Sequence, residues 1–438
     1  MTEPSEAAGG APRGMNLGVA LVEAVGAEHV EPTSMAPGDP PGWRVAPGSA
    51  AEVAEVIRRA AAAHAAVHPI GAGGRPRVTD PSDKRTRGGG DRPRVFVSTK
   101  RLDQVLQLDE TSLLVHAQAG LTGLDLERIL GQRGLSIGDY PPVVLTSSIG
   151  GIIAVRTPGK SSARHGFFED AVVGVSAVLA DGRSVHTRVA PRRSTGPDLA
   201  RALCGSEGTV GFITSAVLRI HFKPEARLVA AYRLPSVDAA VRAVYLALRE
   251  EAAPSGIRIY DAAEAKIHFD GLALPADHAL MCAGTAGPTD LAACDRDLIT
   301  SAVIAEGGAP TDTELADLWW RRLHAGEPTP APAPNLQVMA TPSKMRAVYH
   351  AVRAEVAGLG ATGRAHISRF DADGAVLFFS IERNGAPADD TTCAAAERAT
   401  QAAGGWLLGA RATKLDAYLR GLREVLDPKR IMNPGTLA

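Results

Sequence analysis

Cysteine is scarce in this chain of 438 residues, which has four, at positions 204, 282, 294 and 393. Their spacing contains neither a C-x-x-C pair nor a zinc-finger pattern. This spacing excludes a disulfide-stapled secreted domain and a cysteine-based metal site. We therefore expect reduced thiols in a cytoplasmic protein.

Excess charge and long apolar runs are missing as well. Lys and Arg number 47 against 48 Asp and Glu, so a net charge of −1 gives no reason to bind nucleic acid or an anionic membrane. No apolar run approaches the roughly 20 residues of a membrane span. Met1 to Glu6 lacks the basic and apolar regions of a secretory signal. The expected partners are a small-molecule substrate and, as an assembly, a homodimer, with no nucleic acid and no integral membrane segment.

Glycine, in contrast, is plentiful at 46 residues, and three short segments concentrate it. These are Pro69–Arg75, after an Ala-rich helix predicted over Ala50–Ala66, then Ser147–Ala154, and Leu203–Thr214. Glycine lets the backbone approach a bulky ligand, and exposed amides in such turns bind pyrophosphate. The first segment lacks the G-x-G-x-x-G spacing of a Rossmann fold. Any one segment alone is typical of an ordinary turn, but three in this order are harder to explain as turns.

On these segments, the chain from about Val45 to Pro224 resembles the FAD-binding domain of the vanillyl-alcohol oxidase / p-cresol methylhydroxylase (PCMH) superfamily. Within it, the chain is most similar to the alkyldihydroxyacetonephosphate synthases. Further runs that carry the resemblance are Ala119–Glu127, Ser148–Gly151 with Arg156, Phe168–Val175, Ser194–Leu199 and, near the C-terminus, Leu426–Gly435. The resemblance implies an α+β fold, in which a PCMH-type FAD-binding domain of two α+β lobes carries an inserted α/β cap for the substrate.

The chain is long enough for two domains with buried cores. We expect residues 1–42 to be a segment that is disordered at its start and then forms a short helix, and 43–225 to be the FAD-binding domain. Residues 226–403, which show two β-α-β-type halves, would form the cap. Because the last family run lies beyond them, residues 404–438 should return to the FAD-binding domain.

The cofactor implied by the resemblance is FAD. The residues expected to contact it are Pro69, Ile70, Gly71, Ala72, Gly73, Gly74, Arg75, Pro142, Thr146, Ser147, Ser148, Gly150, Gly151, Val155, Arg156, Thr157, Glu207, Gly208, Thr209, Val210, Gly211, Phe212 and Ile213. No histidine stands in Gly71–Arg75, so the attachment is expected to be noncovalent, with His68 and His165 as the alternative attachment points.

The chain departs from the synthases at two places in the cap. The synthases carry a tyrosine on a late cap strand, where this chain has Phe370 within the run Ser368–Ala375. They also carry three consecutive histidines after a Gly-Gly pair, whereas Trp406–Leu415 contains none. The His-rich metal site of the D-lactate and glycolate branch is not visible either, so no metal is expected. Synthase chemistry is therefore not predicted to transfer.

Three residues are candidates for catalysis. Strand alternation puts His366 and Ser368 on the same face as Phe370. If that face looks at the flavin, His366 is suited to act as a general base; otherwise it is an ordinary histidine on the cap surface. Arg258 either holds an anion over the flavin or is an exposed strand charge. Arg411, where the histidine run would be, is suited to hold a carboxylate or phosphate.

The predicted function is that of an FAD-dependent oxidoreductase, which oxidises a small anionic substrate by hydride transfer to flavin N5. Two alternatives stand beside it: a flavin-dependent alkyl or acyl transferase resembling the synthases, and a catalytically degenerate flavoprotein. The high Ala, Arg and Gly content is typical of a GC-rich bacterial genome. With an altered site on a common scaffold, it favours a role in specialised metabolism.

Overall fold

The computed structural model describes residues 13–33, 40–72, 90–138, 140, 142–156, 162–189, 198–269, 271–324, 335–408 and 417–436. The disorder predicted at the start of the chain falls largely on residues 1–12, outside these ranges. Arg411, Gly73, Gly74, Arg75 and Thr157 also lie outside the described residues.

Strands before residue 226 form the scaffold of the glycine segments. They are β1 (Val30–Thr33), β2 (Gly42–Val45), β3 (Ala66–Ile70), β4 (Arg94–Ser98), β5 (Val105–Asp109), β6 (Leu114–Gln118), β7 (Leu135–Ser136), β8 (Val172–Val178), β9 (Ser184–His186), β10 (Phe212–Arg219) and β11 (His221–Phe222). One sheet has the order β1-β2-β4-β3, and a second has the order β5-β6-β10-β8-β9. In the first, β2, β4 and β3 are parallel, whereas the second is antiparallel throughout. The two sheets are the centres of two lobes.

Short helices cover these sheets. They are α1 (Arg13–Val25), α2 (Ala50–Ala62), α3 (Gly123–Gly131), α4 (Pro142–Leu145), α5 (Ile149–Ala154), α6 (Ser162–His165), α7 (Phe168–Ala171) and α8 (Leu199–Leu203). At the start of α3 the Thr122 hydroxyl accepts the amide of Asp125 at 3.0 Å, as the side chain of a helix N-cap does. The C-terminal segment packs on the first lobe, because Ile431 and Met432 are buried in the same core as Val67 and Val95.

The cap is built on one large sheet. Its strands are β12 (Ala226–Leu234), β13 (Gly256–Asp261), β14 (Ala279–Gly287), β15 (Ala309–Pro310), β16 (Leu336–Ala340), β17 (Thr362–Ser368), β18 (Ala375–Arg383), β19 (Ala386–Pro387) and β20 (Trp406–Leu407). The order is β15-β12-β14-β13-β17-β18-β16-β20, with β19 beside β18. Since β12 and β13 are both antiparallel to the β14 between them, they are parallel to each other. The first half is thus a β-α-β unit with a strand inserted into it, and β16, β17 and β18 repeat this arrangement.

Helices of the cap lie mainly on one face of this sheet. They are α9 (Val237–Arg249), α10 (Ala262–His268), α11 (Thr289–Ala305), α12 (Thr313–His324), α13 (Pro342–Gly358) and α14 (Asp390–Ala402). Helix α15 (Ala417–Leu426) follows the cap, and its Leu426 packs against the core of the second lobe. Ile257, Ile259 and Ile367 belong to the core that the sheet shares with α9, α11 and α13. Side chains alternate between the faces of a strand. Arg258, between Ile257 and Ile259, and His366 and Ser368, on either side of Ile367, therefore point to the opposite face.

Candidate active site

The three glycine segments meet at the end of β3. A Cβ atom built on Gly71 would lie 2.6 Å from Oγ of Ser148. Gly208 has φ of +75°, and a Cβ atom there would lie 2.8 Å from Cγ of Pro69. A side chain at either glycine would therefore collide with a side chain of a neighbouring segment. The close approach explains why glycine stands at both positions.

Helix α5 is held between two turns. Its N-cap is Ser148, and the Gly150 amide donates to the Ala119 carbonyl at 2.8 Å. On the other side, the Glu207 amide donates to the carbonyl of Ala154 at 2.8 Å. These bonds fix the Ser147–Ala154 segment against the turn that begins at Gly205.

Asn433 ties the C-terminal segment to this region. Its backbone amide donates to the Val67 carbonyl at 2.7 Å, and its side-chain Nδ2 donates to the Glu207 carbonyl at 2.6 Å. Its Oδ1 therefore faces His68 Nδ1, 3.1 Å away, and accepts a hydrogen bond from the Nδ1–H group. Burial lowers the pKa of His68 to about 4, so the ring is neutral. One side chain thus joins β3, the Gly205 turn and the end of the chain.

These residues fit a flavin cofactor. Nε2 of His68, Oγ of Ser206 and Oγ1 of Thr99 are buried without a hydrogen-bond partner among the described residues. Buried polar atoms of this kind are normally satisfied by a ligand or by water.

Several residues predicted to touch FAD have side chains that point elsewhere. Val210 and Ile213 are buried in the core of the second lobe, and Phe212 is buried in that of the first. Only their backbone is available to a cofactor. Arg156 is half-exposed, with Nε 4.0 Å from a carboxylate oxygen of Glu169. The side chain of Pro142 is outside the described residues.

His68 and His165, the alternative attachment points for FAD, each lie against another aromatic ring. His68 is fully buried and stacks on Phe96, with ring centroids 5.3 Å apart. His165 lies against His221, with ring centroids 4.0 Å apart.

In the cap, Arg258 and His366 lie on one face of the sheet. Arg258 pairs with Ser368, and Tyr260 pairs with His366, across β13 and β17. Together with Arg364 of β17, these residues form what we call the polar face. His366 is 8 % exposed and stacks on Phe378 at 4.7 Å, so the alternative of a cap-surface histidine is wrong.

Phe370 does not share this face, and the predicted alternation is wrong at this residue. Strand β17 ends at Ser368, and Arg369 adopts φ of +60°. This left-handed residue breaks the two-residue alternation. Phe370 therefore turns back into the helix-covered core, where its ring meets Tyr245 of α9 at 6.1 Å.

A buried carboxylate lies beside His366. Glu264 lies in the first turn of α10, whose N-cap residue Asp261 accepts a hydrogen bond from the Glu264 amide at 2.8 Å. Its Oε1 is 3.1 Å from Nε2 of His268 and 3.4 Å from Nδ1 of His366. Burial opposes its ionisation, but hydrogen bonds from the two histidines lower the pKa of Glu264 to about 2. Burial and the charge of Arg258 lower the pKa of His366 to about 3.

Two arginines of this part of the cap, Arg258 and Arg369, have no acidic partner among the described residues. The Arg258 guanidinium donates to the Tyr260 hydroxyl at 3.3 Å, and that of Arg369 lies over the Phe378 ring at 4.8 Å. Neither pairs with a carboxylate in the described part of the chain. Burial, and then the charge of Arg258, lower the pKa of Arg369 to about 9. Partly buried cations without a counter-charge are costly unless an anion completes the site.

Two family descriptions account for most of the chain. The FAD binding domain matches residues 41–188, and the C-terminal domain of FAD linked oxidases matches 223–405 and 398–437. The chain belongs to the FAD-linked oxidases of the PCMH type. It is a flavoenzyme with FAD as its cofactor, as predicted. In the described residues, no helix combines the length and apolar character that crossing a membrane requires.

Individual relatives agree with this family. An alkyldihydroxyacetonephosphate synthase of Caenorhabditis elegans is 30 % identical over 215 residues, which are 49 % of this chain and 35 % of the synthase. The uncharacterized FAD-linked oxidoreductase YgcU of Escherichia coli O157:H7 is 28 % identical over 248 residues, 56 % of this chain and 51 % of YgcU. The matches thus span between a third and a half of these relatives. The crystal structure of p-cresol methylhydroxylase has a TM-score of 0.71 at 13 % identity, covering 97 % of this chain and 96 % of that one, which shows a shared fold.

The position of Asn433 in this FAD-linked oxidase makes it a test of the cofactor site. We expect Asn433→Ala to weaken FAD binding about 10- to 100-fold, since leaving two buried polar partners unpaired costs about 1–3 kcal/mol. Flavin fluorescence during titration of the apoprotein measures this affinity. Asn335→Ala is the matched control, because that amide makes a similar pair of bonds to Ile381, in the cap. Equal FAD affinity in the two variants would contradict the role of Asn433.

Proposed function

We propose that this FAD-linked oxidase oxidises a small anionic substrate that binds against the polar face of the cap. The observation that carries the proposal is that Arg258 and Arg369 have no carboxylate partner among the described residues. Arg258 is close enough to His366 for its charge to act on that ring, and Arg369 lies over the Phe378 ring on which His366 stacks. Guanidinium groups bind carboxylate and phosphate through two parallel, charge-assisted hydrogen bonds. A neutral substrate would leave both charges uncompensated.

FAD supplies the acceptor for the substrate hydride in this chemistry. The chain's own residues bind the substrate and handle its proton. Arg258 and Arg369 hold the anion, and the Tyr260 hydroxyl helps to orient Arg258. We propose His366 as the proton acceptor, with Glu264 at Nδ1 and Phe378 against the ring fixing its orientation.

A substrate screen tests this function. The holoprotein is mixed without oxygen with small carboxylates and phosphate esters that carry an oxidisable C–H bond, and with neutral amide or ester analogues of each. We expect anionic compounds alone to bleach the absorption band of the oxidised flavin. Product formation without net bleaching would favour the transferase instead. No response to any compound would favour a degenerate flavoprotein.

The arginine pair gives a quantitative prediction once a substrate is found. Arg258→Met and Arg369→Met should each raise KM for the anionic substrate about 10- to 100-fold, because charge-assisted hydrogen bonds contribute about 1.5–3 kcal/mol each. Steady-state kinetics with the anion and its neutral analogue measure the effect, which should be small for the analogue. Arg346→Met is the control, because this exposed arginine of α13 pairs with Asp238. Unchanged KM in both site variants would refute the anion clamp.

A further inference from the structure

Glu264, His268 and His366 form a cluster of potential metal ligands that the sequence did not reveal. Glu264 and His268 are four residues apart on α10 and therefore lie on one face of the helix. That face turns toward β17, which carries His366. The three residues are 2 %, 7 % and 8 % exposed. Two independent elements thus bring a carboxylate and two imidazoles together out of solvent.

The distances within the cluster suit a single ion. One ligand atom from each residue lies within 4.8 Å of the others, and the two histidine nitrogens are 3.1 and 3.4 Å from Oε1 of Glu264. Tetrahedral zinc binds nitrogen and oxygen at about 2.0–2.2 Å, which places neighbouring ligand atoms roughly 3.3 Å apart. An ion between these three atoms therefore needs only a small adjustment of the side chains.

Residues around the cluster contact two of the potential ligands, Glu264 and His366, and restrain their side chains. Nε of Arg364 is 3.3 Å from Oε2 of Glu264, and Arg364 in turn pairs with Glu382 at 2.6 Å. The stacked Phe378 ring restrains His366. Carboxylate ligands with charged partners and imidazole ligands with fixed rings are typical of metal centres.

We infer that Glu264, His268 and His366 bind a divalent transition-metal ion of the zinc class, with an open position for an oxygen atom of the substrate. Two histidines and one carboxylate leave such a position in catalytic zinc sites. The inference rests on the proposed function and changes one role in it, because an ion at Nδ1 would make His366 a ligand and not the proton acceptor. The ion would lower the pKa of a substrate hydroxyl bound at the open position, the hydroxyl proton would pass to solvent water, and the hydride would pass to FAD.

Nearby charge predicts how the ion is retained. Arg258, Arg364 and Arg369 repel a dication, whereas a substrate anion between the arginines and the ion attracts both. Binding of the ion should therefore raise the protein's affinity for the anion, and binding of the anion should raise its affinity for the ion by the same factor.

Metal titration of the holoprotein tests this inference. After chelation and dialysis, zinc is added, and the bound metal is measured by calorimetry and elemental analysis, with and without the anionic substrate. We expect one ion per chain, bound at least 10-fold more weakly by Glu264→Gln and by His268→Gln, and more tightly when the anion is present. His278→Gln is the matched control, because this surface histidine has a single carboxylate neighbour, Asp277, at 3.1 Å. The flavin absorption spectrum reports whether each variant is folded.

Two results would overturn the inference. One is zinc binding that is equal in the wild type and in folded Glu264→Gln. The other is full substrate-dependent flavin reduction by metal-free protein that still requires His366; in that case the proposed oxidation stands and only the metal fails. Failure of the anion to reduce flavin, with or without zinc, would instead reject the proposed function.

Discussion

Gly120→Ala is expected to be strongly destabilising. A Cβ atom at this position would lie 1.9 Å from the carbonyl oxygen of Thr99 and 2.7 Å from that of Leu102, and the Gly120 amide already donates to Leu102 at 2.7 Å. Backbone oxygens cannot rotate away as a flexible side chain can. Because even ordinary overpacking costs about 1–3 kcal/mol, we expect a loss above about 3 kcal/mol in the free energy of unfolding. Urea unfolding followed by flavin fluorescence measures it.

The matched control for this variant is Gly421→Ala. Gly421 lies inside α15, and apart from the helix's own backbone no heavy atom of the described residues comes within 4 Å of a Cβ atom built there. Alanine favours a helix interior over glycine, so this change should add up to about 1 kcal/mol of stability. If the Gly120→Ala protein were as stable as Gly421→Ala, the backbone carbonyls of Thr99 and Leu102 could move away from the added Cβ atom, and the prediction would be wrong.

His366→Gln is expected to lower the rate of flavin reduction by the substrate about 10²- to 10⁴-fold, the range typical of a lost acid–base group. FAD binding should be unaffected, because the FAD contacts we propose lie in the two lobes. Rapid mixing without oxygen measures this rate at saturating substrate. The loss is expected whether His366 accepts the proton itself or binds an ion that acidifies the substrate hydroxyl.

His350→Gln provides the comparison. His350 is an exposed histidine of α13 with Asp238 as its carboxylate neighbour at 2.9 Å, on the helix side of the cap. Its rate should match the wild type. A His366→Gln protein that reduces its flavin at the wild-type rate would remove His366 from the mechanism.

Sequence reasoning worked where local rules govern the structure. Thr122 is followed three residues later by Asp125, and this spacing predicts the cap that starts α3. Glycine at positions 71 and 208 indicates a backbone that something approaches closely, and in the structure the side chains of Ser148 and Pro69 do so, while contact of these glycines with FAD stays a prediction. These signals depend on a few neighbouring residues or on one residue's conformational freedom.

The polar face was less predictable because it depends on distant partners. Glu264 and His366 are 102 residues apart and meet only because β13 lies beside β17 in the sheet. The spacing of Glu264 and His268 could have indicated a shared helix face, but nothing local links that face to β17. The prediction that Phe370 shares the face of His366 is wrong because Arg369 has a positive φ. Glycine usually marks such a conformation in a sequence, and this position holds arginine.

The return of the C-terminal segment to the first lobe determines the order in which parts of this protein can fold during synthesis. Val67 forms a bridge with Met432, and 364 residues, including the whole cap, separate the two partners along the chain. The ribosome synthesises the chain from its N-terminus. The core of the first lobe therefore lacks Ile431 and Met432 while the cap is being synthesised. The cap can fold during that interval, whereas the bonds of Asn433 to Val67 and Glu207 form only after residue 433 has been synthesised.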